Sequence, residues 1–119
     1  MKFMLLVHSE QADFDTRDNA PEGLEETFAF MARLNAELEA SGELVDAAGL
    51  AGPDKAKTVR RQGSATVTTD GPFAEAKEVL GGYWVLECSE DRALEIATHV
   101  VDASGPQGPD SIEVRQIMG

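Results

Sequence analysis

The stretch KFMLLVH, residues 2–8, decides the fold of this chain. Its apolar run is short and no helical period surrounds it, so it predicts a β-strand. Successive side chains of a strand point to opposite faces, and both faces are apolar here: Phe3, Leu5 and Val7 on one, Met4 and Leu6 on the other. Such a strand is typical of the centre of a sheet, covered on both sides.

Two helices are predicted on either side of the middle of the chain. The first runs from the capping candidate Asn19, with Pro21 and Glu22 in its first turn, to about Ala40. Its apolar stripe is formed by Leu24, Phe28, Met31, Asn35 and Leu38, with Leu34 on the edge and Phe30 off the stripe. The second covers residues 89–102, with Ser89 as its cap and Ala93, Ile96, Ala97 and Val100 as its stripe.

Further strands are predicted at residues 43–50, 83–88 and 111–118. Residues 56–61 and 64–69 predict a small hairpin around Gly63, because the second arm is rich in Thr and Val. A short helix is expected after Pro72, with Phe73, Ala76 and Leu80 on one face. Gly81-Gly82 would then end that helix and lead into the strand at 83–88.

The resulting order is β-α-β, an inserted hairpin and a second β-α-β, within one domain spanning residues 1–119. This is the α+β, ferredoxin-like split βαβ pattern, which puts both helices on one face of an antiparallel sheet. One helix layer cannot cover both apolar faces of strand 2–8. We therefore expect a second copy to cover the open face in a face-to-face homodimer.

Charge and composition exclude several classes of function. The net charge of −12 argues against nucleic acid and against an anionic membrane surface, because both need clustered Lys and Arg. No apolar run approaches the ~20 residues that span a bilayer, and the one cysteine, Cys88, fits a cytoplasmic protein. Two separated histidines and one cysteine have no metal-ligand spacing, and no P-loop or GxGxxG motif occurs. We predict neither a metal nor a cofactor.

Several motifs together resemble a known family. They are MKFMLL at residues 1–6, DGPFAE at 70–75, Lys77-Glu78, GGY at 81–83 and IEVR at 112–115. The chain resembles the DGPF-domain branch of the YciI-related (YCII) family. The resemblance implies a dimeric ferredoxin-like α/β barrel, and members are often encoded beside extracytoplasmic-function sigma factors.

The resemblance also bears on the role of Asp70. In the wider family a His and Asp pair is the suspected catalytic dyad, and Asp70 resembles its aspartate. The histidine would fall on the first helix, but residues 22–40 contain none. The branch tends to follow its final Glu-Val-Arg with Pro, whereas Gln116 stands here.

The residues themselves leave the role of Asp70 open between two alternatives. It is either a turn cap, bonding the free N–H groups that follow, or a general base or ligand anchor beside a cleft. His8, at the end of the first strand, is either a hydrogen-bonded rim residue or a second proton-transfer group. Together Asp70 and His8 are the catalytic candidates.

Other residues are assigned structural or binding roles. Pro72 and Phe73 organise the turn, with Phe73 as an apolar anchor or a pocket wall. Glu75, Lys77 and Glu78 form either a solvated face or ion pairs that order the loop. Glu113 and Arg115 share a strand face, where a buried Arg115 would need a carboxylate. The expected ligand-binding set is Phe73, Tyr83, Trp84 and Arg115, in pockets between the sheet and the insert at 51–80.

Three functions therefore remain open. The first is a small-molecule binding or regulatory dimer. The second is an enzyme that uses Asp70, with His8, on a small organic acid or carbonyl compound. The third is a protein-interaction module linked to sigma-factor regulation, where the acidic chain suits a basic partner.

Overall fold

The computed structural model describes residues 1–10, 23–71 and 78–119. These form two α-helices and antiparallel sheets in a mixed α+β arrangement. In chain order the elements are β1 (Lys2–Glu10), α1 (Leu24–Ser41), β2 (Leu44–Gly49), β3 (Lys57–Gln62), β4 (Ala65–Asp70), β5 (Glu78–Glu87), α2 (Glu90–Ala103) and β6 (Ser111–Gln116), with a short 3₁₀ turn at Pro53–Lys55.

The main sheet has the order β2-β5-β1-β6, and every neighbouring pair is antiparallel. Strand β1 bonds to β5 on one side and to β6 on the other, so its predicted central position is confirmed. This order, built from two β-α-β units, is compatible with the ferredoxin-like fold. Strands β3 and β4 form the separate two-stranded hairpin that the sequence predicts, with its turn at Gly63.

The hydrophobic core lies between the sheet and the two helices. Alternate residues Phe3 and Leu5 of β1 and Trp84 and Leu86 of β5 point into it. The helices contribute Phe30, Leu34 and Leu38 from α1 and Ala93, Ile96, Ala97 and Val100 from α2. Both helices therefore pack on one face of the sheet. Met4 and Leu6 point to the other face, called the open face below, on which no described helix lies.

Helix α1 is rotated relative to the prediction. Phe28 was expected on the core stripe and is 62% exposed, whereas Phe30, expected off the stripe, is 8% exposed. The buried residues Thr27, Phe30, Leu34 and Leu38 recur at i, i+3, i+7 and i+11, which is also one helical stripe. The helix has two neighbouring apolar stripes, and packing against the sheet selects this one.

Helix α1 also begins later than predicted, at Leu24, because Gly23 before it has a left-handed φ of 89°. The predicted caps Asn19, Pro21 and Glu22 lie outside the described residues.

Strand β5 is longer than predicted and contains both glycines. Leu80 was expected on a short helix, but it lies in the strand opposite His8. Gly81 is an extra residue at a β-bulge, because Val7 pairs with Gly82 and His8 pairs with Leu80. A Cβ on Gly82 would lie 2.8 Å from the carbonyl oxygen of Ala48, so this position brings β2 and β5 close together. The glycines are thus part of the sheet and do not end a helix.

Helix α2 agrees with its prediction. The Ser89 hydroxyl accepts a hydrogen bond from the Arg92 N–H at 3.1 Å, and the predicted stripe is buried. The Arg92 guanidinium also donates two hydrogen bonds to the Glu43 carboxylate, of 2.8 and 3.1 Å, and contacts Glu95. This ion pair connects the start of α2 to the residue before β2. Neither described helix is long and apolar enough to cross a membrane.

Candidate functional site

A cleft of about 280 Å³ opens between α1, the β2–β5 edge of the sheet and the segment before β6. Its described lining consists of Val7, Leu24, Thr27, Phe28, Met31, Asn35, Ala47, Ala48, Gly49, Gly81, Gly82, Tyr83, Trp84, Gln107 and Pro109. Most of these residues are apolar, and only a few polar groups face the space. This combination is typical of a small-molecule site.

The rotation of α1 creates one wall of this cleft. Because Thr27, Phe30 and Leu34 take the core positions, the neighbouring stripe of Leu24, Phe28, Met31 and Asn35 is left along the edge of the sheet. The opposite wall is largely main chain, since Gly49, Gly81 and Gly82 carry no side chain. The exposed Phe28 is therefore a wall of the cleft as well as a surface residue.

Asn35 is the best-defined polar group in the cleft. The Trp84 indole N–H donates a 2.7 Å hydrogen bond to Asn35 Oδ1. An indole nitrogen is only a donor, so the atom facing it must be the amide oxygen and not the amide nitrogen. The amide nitrogen Nδ2 then points elsewhere, and it donates to no other group among the described residues.

Thr27 is less available to a ligand. Its hydroxyl donates to the Ser104 carbonyl at 2.8 Å and lies 3.2 Å from the Gly23 carbonyl. These contacts join α1 to the end of α2. Nearby, Ser104 Oγ is the one side-chain polar atom in the described parts of the chain that is both buried and unpaired.

The open face of the sheet holds a second group of polar residues. His8 Nε2 lies 3.4 Å from Glu113 Oε1, and Arg115 Nε lies 3.5 Å from Glu113 Oε2. On the same face the Tyr83 hydroxyl donates to Asp46 Oδ2 at 2.9 Å. That hydrogen bond, with the negative charge of Asp46, raises the pKa of Tyr83 and keeps the phenol protonated.

The predicted site residues that the structure describes fall in three places: the cleft, the open face and the end of β4. Trp84 and Tyr83 line the cleft, although the Tyr83 hydroxyl turns to the open face. His8, Glu113 and Arg115 form the line of contacts on that face.

Asp70 lies at the end of β4, where its side chain is 88% exposed and pairs with Lys57. Within the described ranges no hydrogen bond or ion pair joins Asp70 to His8. The Thr58 hydroxyl and the Ala56 carbonyl bond the main chain of Gly71 beside it, at 2.7 Å each.

Several predicted residues lie outside the described residues: Pro72, Phe73, Glu75, Lys77 and the side chain of Glu78. The turn N–H groups that Asp70 was expected to cap belong to the same segment. Their assigned roles stay predictions.

The cleft also contains Asn35, Met31 and Gln107, which were not predicted as site residues. One signal was present, because Asn35 is the polar member of an otherwise apolar helical stripe. A polar group at such a position needs a partner, and here the partner is the buried indole. Gln107 lies in a loop and carries no comparable signal.

Two further features lie outside the cleft. A shallow hollow near the two ends of the chain is lined by Met1, Lys2, Glu87 and residues 116–119. Cys88 is half-buried, and burial together with the Glu43 charge raises the pKa of its thiol. The described residues hold no cluster of three or more His, Cys, Asp or Glu side chains suited to a metal ion.

Comparison with known proteins identifies the class of this protein. Residues 1–118 match the YCII-related domain, so the chain belongs to the YCII-related family. A relative is an uncharacterized protein of Rhizobium meliloti (strain 1021), which is 37% identical over 78 residues. That match covers 65% of this chain and 61% of the relative, so it spans about three-fifths of the relative's length.

Proposed function

We propose that this YCII-related domain binds a small molecule in the cleft beside α1, in a binding or regulatory role. The observation that carries the proposal is the cleft itself: about 280 Å³, mostly apolar walls and one oriented amide at Asn35. Sites of this kind hold small ligands by apolar contact and use a few polar groups to orient them.

The test is a ligand screen by thermal shift, because a ligand at 100 times its Kd stabilises the folded state by about 2.7 kcal/mol. Met31→Trp places a larger side chain in the cleft and should abolish the shift. Leu94→Trp makes the same kind of change on the exposed surface of α2 and should leave the shift intact. Equal loss in both variants would count against binding in this cleft.

The second part of the proposal is a homodimer that closes a ferredoxin-like α/β barrel through the open face. Met4, Leu6 and Val85 are half-buried apolar residues on that face, and no described helix packs over them. Sedimentation at micromolar concentration should give a dimer. Leu6→Arg should give a monomer, while Val59→Arg on the exposed hairpin should not. A monomeric unmodified chain would contradict this arrangement.

Membership of the DGPF branch is a finer proposal, supported by the motif DGPFAEAKE at residues 70–78. A cytoplasmic location and a sigma-factor partner stay predictions from the sequence. The enzyme alternative requires Asp70 and His8 at one cavity, and its support is weaker. Asp70 pairs with Lys57 on the hairpin, whereas His8 pairs with Glu113 on the main sheet.

A further inference from the structure

The described part of the cleft wall is uncharged, although the chain as a whole is strongly acidic. The sequence carries 22 acidic and 10 basic residues, yet none of the described lining residues is Asp, Glu, Lys or Arg. The polar side chains that line it are Thr27, Asn35 and Gln107, since the Tyr83 hydroxyl turns to the open face. The composition of this lining limits the charge and polarity of a ligand that can bind in the cleft.

A charged ligand would be poorly accommodated by such a wall. It would lose part of its hydration on entering, and no described residue of the lining offers an opposite charge. The surrounding charge of −12 would in addition repel an anion before it reached the cleft. The loss of hydration disfavours ions of either sign, and the net charge adds a further penalty for anions.

Asn35 adds a directional preference. Its oxygen accepts from Trp84, so the group that it can offer to a ligand is the N–H donor of Nδ2. Nδ2 donates to no described residue, and the buried unpaired polar side-chain atoms of the described residues are limited to Ser104 Oγ, so water is the partner of Nδ2 when no ligand is bound. A ligand that fills the cleft would displace that solvent and must supply a hydrogen-bond acceptor to replace it.

We infer that the ligand is an uncharged, mainly apolar molecule with a hydrogen-bond acceptor, such as a carbonyl oxygen, bound to Asn35 Nδ2. Its apolar body packs against Phe28 and Met31 on one side and against the glycine main chain of β5 on the other. This inference rests on the proposed function. The inferred chemistry of the ligand excludes organic acids, which a site containing Arg115 would favour. Arg115 lies on β6 and faces the opposite side of the sheet from the cleft.

The test uses four probes of similar shape: acetophenone, ethylbenzene, benzoate and benzylammonium. The chain has one tryptophan, so the Trp84 indole N–H resonance is a unique reporter beside Asn35. We expect acetophenone to bind about fivefold more tightly than ethylbenzene, the value of one ordinary hydrogen bond. Benzoate and benzylammonium should bind more weakly than either.

Asn35→Asp is the matched variant, because an aspartate keeps an oxygen acceptor for the Trp84 N–H, removes the donor and adds a negative charge. Acetophenone should then lose its advantage over ethylbenzene, while benzylammonium should gain affinity. Ethylbenzene is the internal control, because both uncharged probes desolvate the new carboxylate and the ratio of their affinities therefore reports the loss of the donor. If this variant fails to fold, the order of the four probes on the unmodified chain still decides the question.

The outcomes separate this inference from the proposed function. If benzoate or benzylammonium binds as tightly as acetophenone and this binding is lost in Met31→Trp, the inference about ligand chemistry is overturned. The cleft then remains a ligand site. Acetophenone binding no better than ethylbenzene would overturn the role of Asn35. Binding of none of the four probes at millimolar concentration would overturn the inference, and the wider screen would decide the proposed function.

Discussion

The ion pair between Glu43 and Arg92 should couple the entry of β2 to the start of α2 by a measurable free energy. Two hydrogen bonds, of 2.8 and 3.1 Å, join the guanidinium to the carboxylate. The Glu43 carboxylate also accepts from the Ser41 hydroxyl at 2.8 Å. The perturbation is a double-mutant cycle with Glu43→Gln and Arg92→Gln, singly and together.

The magnitude follows from geometry and exposure. Hydrogen bonds to charged groups contribute about 1.5–3 kcal/mol each when protected from water. The side chains here are 19% and 39% exposed for Glu43 and Arg92, so solvent screens part of this energy. We expect a coupling free energy of about 1 kcal/mol, at the top of the range for surface pairs because the contact is bidentate.

The assay is chemical denaturation, compared between variants at constant m-value. Glu95→Gln provides the matched control, because Glu95 pairs with the same Arg92 but is 69% exposed. A pair at i, i+3 on a helix surface should contribute only about 0.2–0.5 kcal/mol. The Glu43 cycle should therefore give the larger coupling of the two.

The coupling should also depend on pH. Hydrogen bonds from Arg92 and Ser41 lower the pKa of Glu43 in the folded protein below its ordinary value of 4.5. The unfolded chain therefore takes up the proton at higher pH than the folded one. The stabilisation is complete above pH 4.5 and is lost as the pH falls through the folded pKa, where the unmodified chain approaches the behaviour of Glu43→Gln. A coupling no larger than that of Glu95, or one unchanged by acid, would refute this reasoning.

Three other substitutions test the packing of the fold, each by equilibrium unfolding. Gly82→Ala would set a Cβ 2.8 Å from the Ala48 carbonyl oxygen and should destabilise the fold by about 1–3 kcal/mol. Its control, Gly49→Ala, meets no atom within 4 Å and should be neutral or slightly stabilising. Equal effects of the two substitutions would contradict the close approach of β2 and β5. Leu38→Ala, at a core position that is 1% exposed, should cost about 2–5 kcal/mol, and a loss below 1 kcal/mol would mean that the core does not close around it. Ser89→Ala removes the cap of α2 and should cost about 1 kcal/mol, an effect that Ser89→Asp should largely reverse.

The order of elements was predictable because periodicity reports burial locally. The apolar run at residues 2–8 indicated the central strand, and Ser89 indicated the start of α2, since each signal lies within a few neighbouring residues. The stripe of α2 was also correct, because Leu94 and Val101, the large apolar residues outside it, only flank it. Local patterns were sufficient wherever one apolar run or stripe dominated the element.

The failures occurred where two local solutions competed. Helix α1 offers both Phe28 and Phe30, and only contact with the sheet selects Phe30 for the core. Gly81-Gly82 resembles a helix stop, but the bulge opposite Val7 and the close approach of Ala48 are contacts with other strands. The cleft joins five separate segments of the chain, so no short motif could indicate it.

The glycine wall of the cleft has a consequence for how binding preference can change in such a domain. Main-chain atoms at Gly49, Gly81 and Gly82 present the same surface whatever neighbouring side chains are exchanged, and Gly82 has no room for a larger residue. The β5 wall is therefore fixed at Gly82, whereas Leu24, Phe28 and Met31 of α1 can be replaced without disturbing the pairing of β2 with β5. The α1 wall is an adjustable surface on which a new ligand preference could evolve.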